Sequence, residues 1–175
     1  VADSSRCPQR PFLFHPTRFS MALVVPAVGS PAPDFTLNST SGEPITLSSH
    51  KGKQHVLLAF FPAAFTSVCT TEMCAFTDDY GAFTGHDVTV IPISADNVPS
   101  LKEFKAKHQM PVELASDIRR EVSRAYGTLL ESTFVSNRAY FLIDKQGIVR
   151  WAHVEEHPGK RRENAEILAE IAKLR

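Results

Sequence analysis

The spacing of apolar and polar residues changes along the chain, and each change predicts an element. An almost unbroken apolar run, HVLLAFF, occupies residues 55–61. It is too short for a core helix and suits a central strand covered on both faces. DVTVIPIS (87–94) reads as a second buried strand and VELAS (112–116) as a short one. AYFLID (139–144) and IVRWAHV (148–154), joined by KQG, read as two strands with a tight turn. Upstream, residues 26–38 predict an extended lead-in that docks Phe35 and Leu37. Gly42 marks a turn, Ile45-Thr46-Leu47 a short strand, and SSHKGKQ (48–54) a polar turn.

Helical spacing appears between these runs. Phe76, Tyr80 and Phe83 recur at i, i+4, i+7, predicting a helix over 68–83 that Gly85 ends. A second helix runs from Ser100 to His108, with Leu101, Phe104 and Lys105 at helical spacing. Asp117 is the candidate cap of a third, extending to Tyr126 and closed by Gly127. The last, over 161–174, carries Ile167, Leu168, Ile171 and Leu174 on one face. Strands alternating with helices, followed by a hairpin and a helix, give an α/β sandwich around a mixed sheet.

Composition narrows the classes. The chain has 175 residues, enough for one domain with a sizeable core. Nineteen basic residues balance nineteen acidic ones, without a long basic stretch, so neither nucleic acid nor an acidic membrane surface is an expected partner. No apolar segment approaches the ~20 residues of a membrane span. Three cysteines are too few for a disulfide scaffold and fit a reducing, cytoplasmic setting. Residues 1–25 read as an N-terminal extension and 26–175 as the domain. The first twenty hold three prolines, three arginines and one acid. They read either as an upstream extension with Met21 the working start or as the remnant of an organelle targeting segment. Cys7, within them, is assigned no catalytic role.

Chemistry points to Cys69. In open α/β sheets, sites collect at the carboxyl ends of strands. HVLLAFF ends there, and Pro62–Val68 leads into a helix whose first turn should hold Cys69. A helix N-terminus offers unpaired N–H groups and a positive dipole end, both favouring a thiolate. From the residues alone, a buried structural cysteine is the alternative. Cys74, five positions on, is out of easy reach. Ideal helix geometry puts such Cα atoms roughly 8–9 Å apart with side chains ~140° around the axis, whereas a disulfide wants less than ~7 Å. The pair can close only if the first turns unwind.

Pro62, Thr66 and Cys69 form P-x-x-x-T-x-x-C, and FFPAAFTSVCTTE resembles the active-site loop of the peroxiredoxins. SNRAYFLID, with Arg138 just ahead of a core strand, resembles the segment that brings their arginine to the site, and VGSPAPDFTL their N-terminal opening. The likeness runs from about residue 26 to 160. It implies a thioredoxin-like fold, a central mixed sheet flanked by helices, and thiol-dependent reduction of hydrogen peroxide and organic hydroperoxides. Cys69 would attack the terminal peroxide oxygen and become a sulfenic acid. Dropping a thiol pKa from ~8.5 to ~6 raises the thiolate fraction at neutral pH only about 30-fold, and nucleophilicity falls with it. Stabilisation of the breaking O–O bond must supply the rest. The Thr66 hydroxyl, Arg138 and backbone N–H groups are the candidates, one preorganised donor being worth about 10²–10³ in rate. Pro62 would shape the loop and shield the thiolate. Glu72, in the first turns of the helix, would orient the arginine.

The Cys69-x4-Cys74 spacing resembles the peroxiredoxin Q type, which implies that Cys74 resolves the sulfenic acid as an intramolecular disulfide, reduced in turn by thioredoxin or a similar thiol donor. FFPAAFTSVC is also similar to the alkyl hydroperoxide reductase E type, in which one cysteine works with an external thiol. A typical two-cysteine type would need a further cysteine near its C-terminus, and none follows residue 74 in this sequence. Monomer and homodimer both remain open, and no cofactor or metal is expected. Three rival classes stand beside this reading: a thiol–disulfide oxidoreductase, for which C-x-x-C is missing; a metal-binding domain, for which none of the seven histidines sits at ligand spacing to the pair; and a non-enzymatic redox sensor or holdase on the same fold.

Overall fold

A computed structural model describes residues 24–174, so Met21, Cys7 and the twenty-residue leader lie outside the described residues. The core of the sheet is β3 (His55–Phe60), the predicted apolar run. It pairs in parallel with β4 (Val88–Ser94) on one side and antiparallel with β8 (Ala139–Ile143) on the other. Residues of β3 alternate between two hydrophobic clusters: Leu57 and Ala59, with Phe61 just beyond, face one, while Val56, Leu58 and Phe60 face the other. A strand buried on both faces needs no polar alternation, which is why the run reads as continuous.

β1 (Thr36–Ser39), β2 (Ile45–Thr46), β5 (Ala115–Ser116) and β9 (Val149–Val154) complete a seven-stranded sheet in the order β2-β1-β5-β4-β3-β8-β9. The β3–β4 and β4–β5 pairs are parallel and the others antiparallel. This is the mixed α/β sheet expected from the alternation of elements. The lead-in does more than dock Phe35: its continuation, β1, hydrogen-bonds to β5 and β2. Leu47 leaves the strand for a 3₁₀ turn over Leu47–His50. Val112 and Leu114 are buried ahead of β5 without belonging to the strand.

The helices depart from expectation mainly at their ends. The predicted 68–83 helix is two, α1 (Ser67–Asp78) and α2 (Tyr80–Gly85). The break falls at Asp79, whose carboxylate accepts from Asn164 Nδ2 at 2.9 Å. It leaves Phe76 and Phe83 together in the core, ring centroids 5.6 Å apart, and turns Tyr80 outward. α3 (Val98–Lys107) starts two residues before Ser100, because Asn97 is the cap and accepts the Ser100 N–H. α4 is only Glu121–Ala125, and Arg120 precedes it in the left-handed region (φ 59°). Asp117 still satisfies its start from a distance: the buried carboxylate accepts from the Val122 and Ser123 amides and the Ser123 hydroxyl. α5 spans Asn164–Ile171, with Ile167 and Ile171 buried. A two-stranded ribbon, β6 (Leu129–Leu130) with β7 (Val135–Ser136), was not foreseen, since two-residue strands carry no period.

Asp117→Ala should destabilise the protein by about 3 kcal/mol, since it strands buried donors that now meet a carboxylate. Chemical denaturation checks this. A loss below ~1 kcal/mol would show that something else holds α4.

Candidate active site

The site is built where β3 hands over to α1. Phe61 still donates its amide to the Ile93 carbonyl at 3.0 Å, so the sheet continues to guide the chain past the end of β3. Half-buried Pro62 follows. Phe65 then takes φ 64°, a conformation costing a non-glycine residue about 1–2 kcal/mol. Two anchors hold the loop there. The Ala64 amide donates to Asp96 Oδ2 at 2.8 Å, an oxygen that also accepts from the Ser94 hydroxyl. The Phe65 ring meets Phe104 of α3 edge-on at 5.0 Å, with Lys107 Nζ over it at 5.9 Å. Thr66 occupies the cap position of α1 in an extended conformation, but its hydroxyl donates back to the Ala63 carbonyl at 2.9 Å instead of capping.

Cys69 is the third residue of α1 and only 1% exposed. Arg138 comes from the strand end beside it and is fully buried. Its Nη2 donates to Cys69 Sγ at 3.2 Å and to the Pro158 carbonyl at 3.1 Å. Its Nη1 donates to Glu72, and the Tyr140 hydroxyl donates to the other Glu72 oxygen. Nε is buried without a hydrogen-bond partner. The backbone of Arg138 is itself pinned: its amide donates to Asn137 Oδ1 and its carbonyl accepts from the Glu155 amide, both at 2.9 Å.

The electrostatics follow from burial. Desolvation pushes the Glu72 carboxyl up to about 7, against the opposing pull of Arg138 and Tyr140. For Arg138, burial works against the charge, but Glu72 and Cys69 outweigh it and the guanidinium is held more firmly protonated than usual. Burial first, and then Glu72, push the Tyr140 hydroxyl well above its ordinary range, so it remains a donor.

Thus the structure joins Cys69, Arg138 and Glu72 in one network, places Thr66 and Pro62 in the loop leading into it, and puts Cys74 elsewhere. Cys74 is half-buried further along the unbroken α1, its Sγ 3.8 Å from His108 Nδ1 just past the end of α3. Tyr140, the Pro158 carbonyl, Asp96 and His108 escaped the sequence reading. Only Tyr140 left a signal, sitting two residues from Arg138 and therefore on the same strand face.

The AhpC/TSA family model matches residues 28–152. The chain belongs to that family, the peroxiredoxins. Alkyl hydroperoxide reductase E of Mycobacterium tuberculosis is 36% identical over 78% of this chain and 90% of its own. Peroxiredoxin Q, chloroplastic, of Oryza sativa subsp. japonica is 37% identical over 71% of this chain and 58% of its own. Among solved structures, the reduced 2-Cys peroxiredoxin of Plasmodium vivax superposes with a TM-score of 0.77 at 32% identity, covering 83% of this chain and 80% of its own. The fold is thioredoxin-like, and the chain is a peroxidase of the peroxiredoxin family.

The peroxiredoxin network carries a pH signature. A folded-state Glu72 pKa near 7, against 4.5 for a free carboxyl, means that folding takes up a proton between those values. Stability from this group therefore falls as pH rises through that window. Glu72→Gln should flatten this slope, read as denaturation midpoints at about pH 5 and pH 7. An unchanged slope would move its origin to another group.

Proposed function

We propose that Cys69 is the peroxide-reducing thiol, with Arg138, Thr66 and Pro62 as its active-site companions. The observation that carries this is the direct contact between the buried Cys69 sulfur and the Arg138 guanidinium. A guanidinium on the sulfur stabilises the thiolate and sits where the departing oxygen gathers charge. The unpartnered Nε is a further donor in the same buried pocket of charge. Thr66 Oγ, already donating to Ala63, has lone pairs left to accept from the hydroperoxide O–H. Thiolate attack on the terminal oxygen forms the S–O bond and breaks O–O. The departing oxygen leaves as alcohol or water after taking a proton, and Cys69 is left as the sulfenic acid.

Resolution is the second step of the proposal. Cys74 attacks the Cys69 sulfenic sulfur, water leaves, and a thioredoxin-type thiol reduces the bridge. In this reading α1 unwinds from its N-terminal end, once the loop anchors and the Arg138 contact to Cys69 release. Thr66 and Ser67 are exposed, whereas Met73 and Phe76, on either side of Cys74, are completely buried. The competing one-cysteine mode, with an external thiol as resolver, is favoured by one observation: α1 runs unbroken through both cysteines. Homodimer formation and a cytoplasmic or organellar setting remain proposals beside these. Among the described residues, no helix is long and apolar enough to cross a membrane.

Cys69→Ser should abolish repeated peroxide consumption supported by thioredoxin and its reductase, and retained turnover would remove the assignment. Cys74→Ser should still form the sulfenic acid but no bridge, and should overoxidise faster under excess peroxide. An unchanged thioredoxin-dependent rate in this variant would establish the one-cysteine mode.

A further inference from the structure

A half-buried thiol facing an imidazole calls for a chemical account that the peroxide-reducing site does not provide. Cys74 Sγ lies 3.8 Å from His108 Nδ1, across the gap between α1 and the end of α3. His108 is held there by two ties to Phe104. Its amide donates to the Phe104 carbonyl at 3.3 Å. Its ring packs edge-on against Phe104, centroids 5.2 Å apart. Phe104 is fully buried and touches Phe61 and Phe65 in turn. The neighbouring lysines of α3 are turned to other tasks: Lys105 pairs with Glu113 and Lys107 lies over Phe65.

We infer that His108 is the general base of the resolving step, taking the Cys74 proton through Nδ1. This rests on the reading of Cys74 as the resolving thiol. The thiol donates to Nδ1, with the ring's own proton on Nε2. As the proton passes to Nδ1, the Cys74 thiolate attacks Cys69 Sγ, the new S–S bond forms and the S–O bond breaks. The hydroxide, departing on the side of Cys69 opposite the attacking sulfur, takes a proton from solvent and leaves as water, and the imidazolium gives its proton back to solvent. Both electrons of the disulfide bond come from Cys74, and the sulfenic sulfur of Cys69 is the oxidant, so no other reagent is consumed.

Geometry keeps His108 in place at the moment of attack. Met73 and Phe76 anchor the Cys74 turn, so the proposed bridge forms when the first turn of α1 leaves the Arg138 contact and carries Cys69 toward Cys74, which stays against the imidazole. The size of the effect is bounded. A free thiol near pKa 8.5 is only a few per cent ionised at neutral pH, so full deprotonation can gain at most about 30-fold. The expected loss on removing the base is about tenfold.

The test treats the reduced full chain with one equivalent of hydrogen peroxide, quenches at intervals with an alkylating agent and cleaves after Glu72. The 69–74 bridge then holds two fragments together, and a sulfenic acid does not. Bridge formation is referred to Cys69 oxidation in the same sample. In His108→Ala and His108→Gln the bridge should form about tenfold more slowly, and added imidazole should restore part of the rate in the alanine variant. A wild-type bridge that forms equally fast in either variant overturns the role of His108 and leaves Cys74 as resolver. The absence of any 69–74 bridge in the wild type overturns that reading and the base with it.

Discussion

A guanidinium sealed from water ties three parts of this molecule together. Arg138, just ahead of β8, reaches Cys69 and Glu72 on α1 and the Pro158 carbonyl in the segment before α5. A charge so buried costs several kcal/mol unless its donors are met, and removing one partner of such a pair costs about 3–5 kcal/mol. The arrangement therefore depends on each partner being in place. The cost recurs as function, because the same charge that must be compensated is the one that holds the sulfur. Arg138 is more deeply buried than almost any polar side chain in the protein, yet its Nε is left without a partner.

The second constraint is the loop that delivers Cys69. Its left-handed Phe65 is held by an aromatic contact with Phe104 of α3, and the preceding Ala64 amide by the Asp96 carboxylate in the turn between β4 and α3. Both ties come from distant parts of the chain, and Phe65, Thr66 and Ser67 are exposed, so this stretch has few buried contacts to lose on opening. Cys74, between buried Met73 and Phe76, stays with the core. Cys69 is itself buried and held by Arg138, so the 69–74 bridge proposed above requires that contact to release before the first turn of α1 can carry the sulfur toward Cys74. His108 lies beside Cys74 and is linked through Phe104 to the Phe65 ring.

Much of this was legible in the chain itself, and the reasons are local. The run HVLLAFF announces a doubly covered strand because burial on both faces erases polar alternation. The motif Pro62-x3-Thr66-x2-Cys69 could be picked out through its likeness to the peroxiredoxin active-site loop, which is contiguous in sequence. Arg138 could be named only through the likeness of SNRAYFLID to the peroxiredoxin segment that carries their arginine. Where the reading slipped, a side chain from elsewhere decided the outcome. Asn164 meets the carboxylate at the residue where one predicted helix becomes two. Asn97, not Ser100, starts α3.

The sequence by itself determined the α/β class and the order of the central elements, since both follow from periodicity. From the residues alone Cys69 stood open between a reactive and a structural cysteine, and only its likeness to the peroxiredoxin loop pointed to the thiol. Only the tertiary structure decided what surrounds that thiol. The contacts of Arg138 with Glu72 and Cys69 span 66 and 69 positions, and that between Cys74 and His108 spans 34. Separations of that length leave no period to read. They arise when strands and helices pack, and it is packing that strips water from a charge and makes its few remaining partners matter.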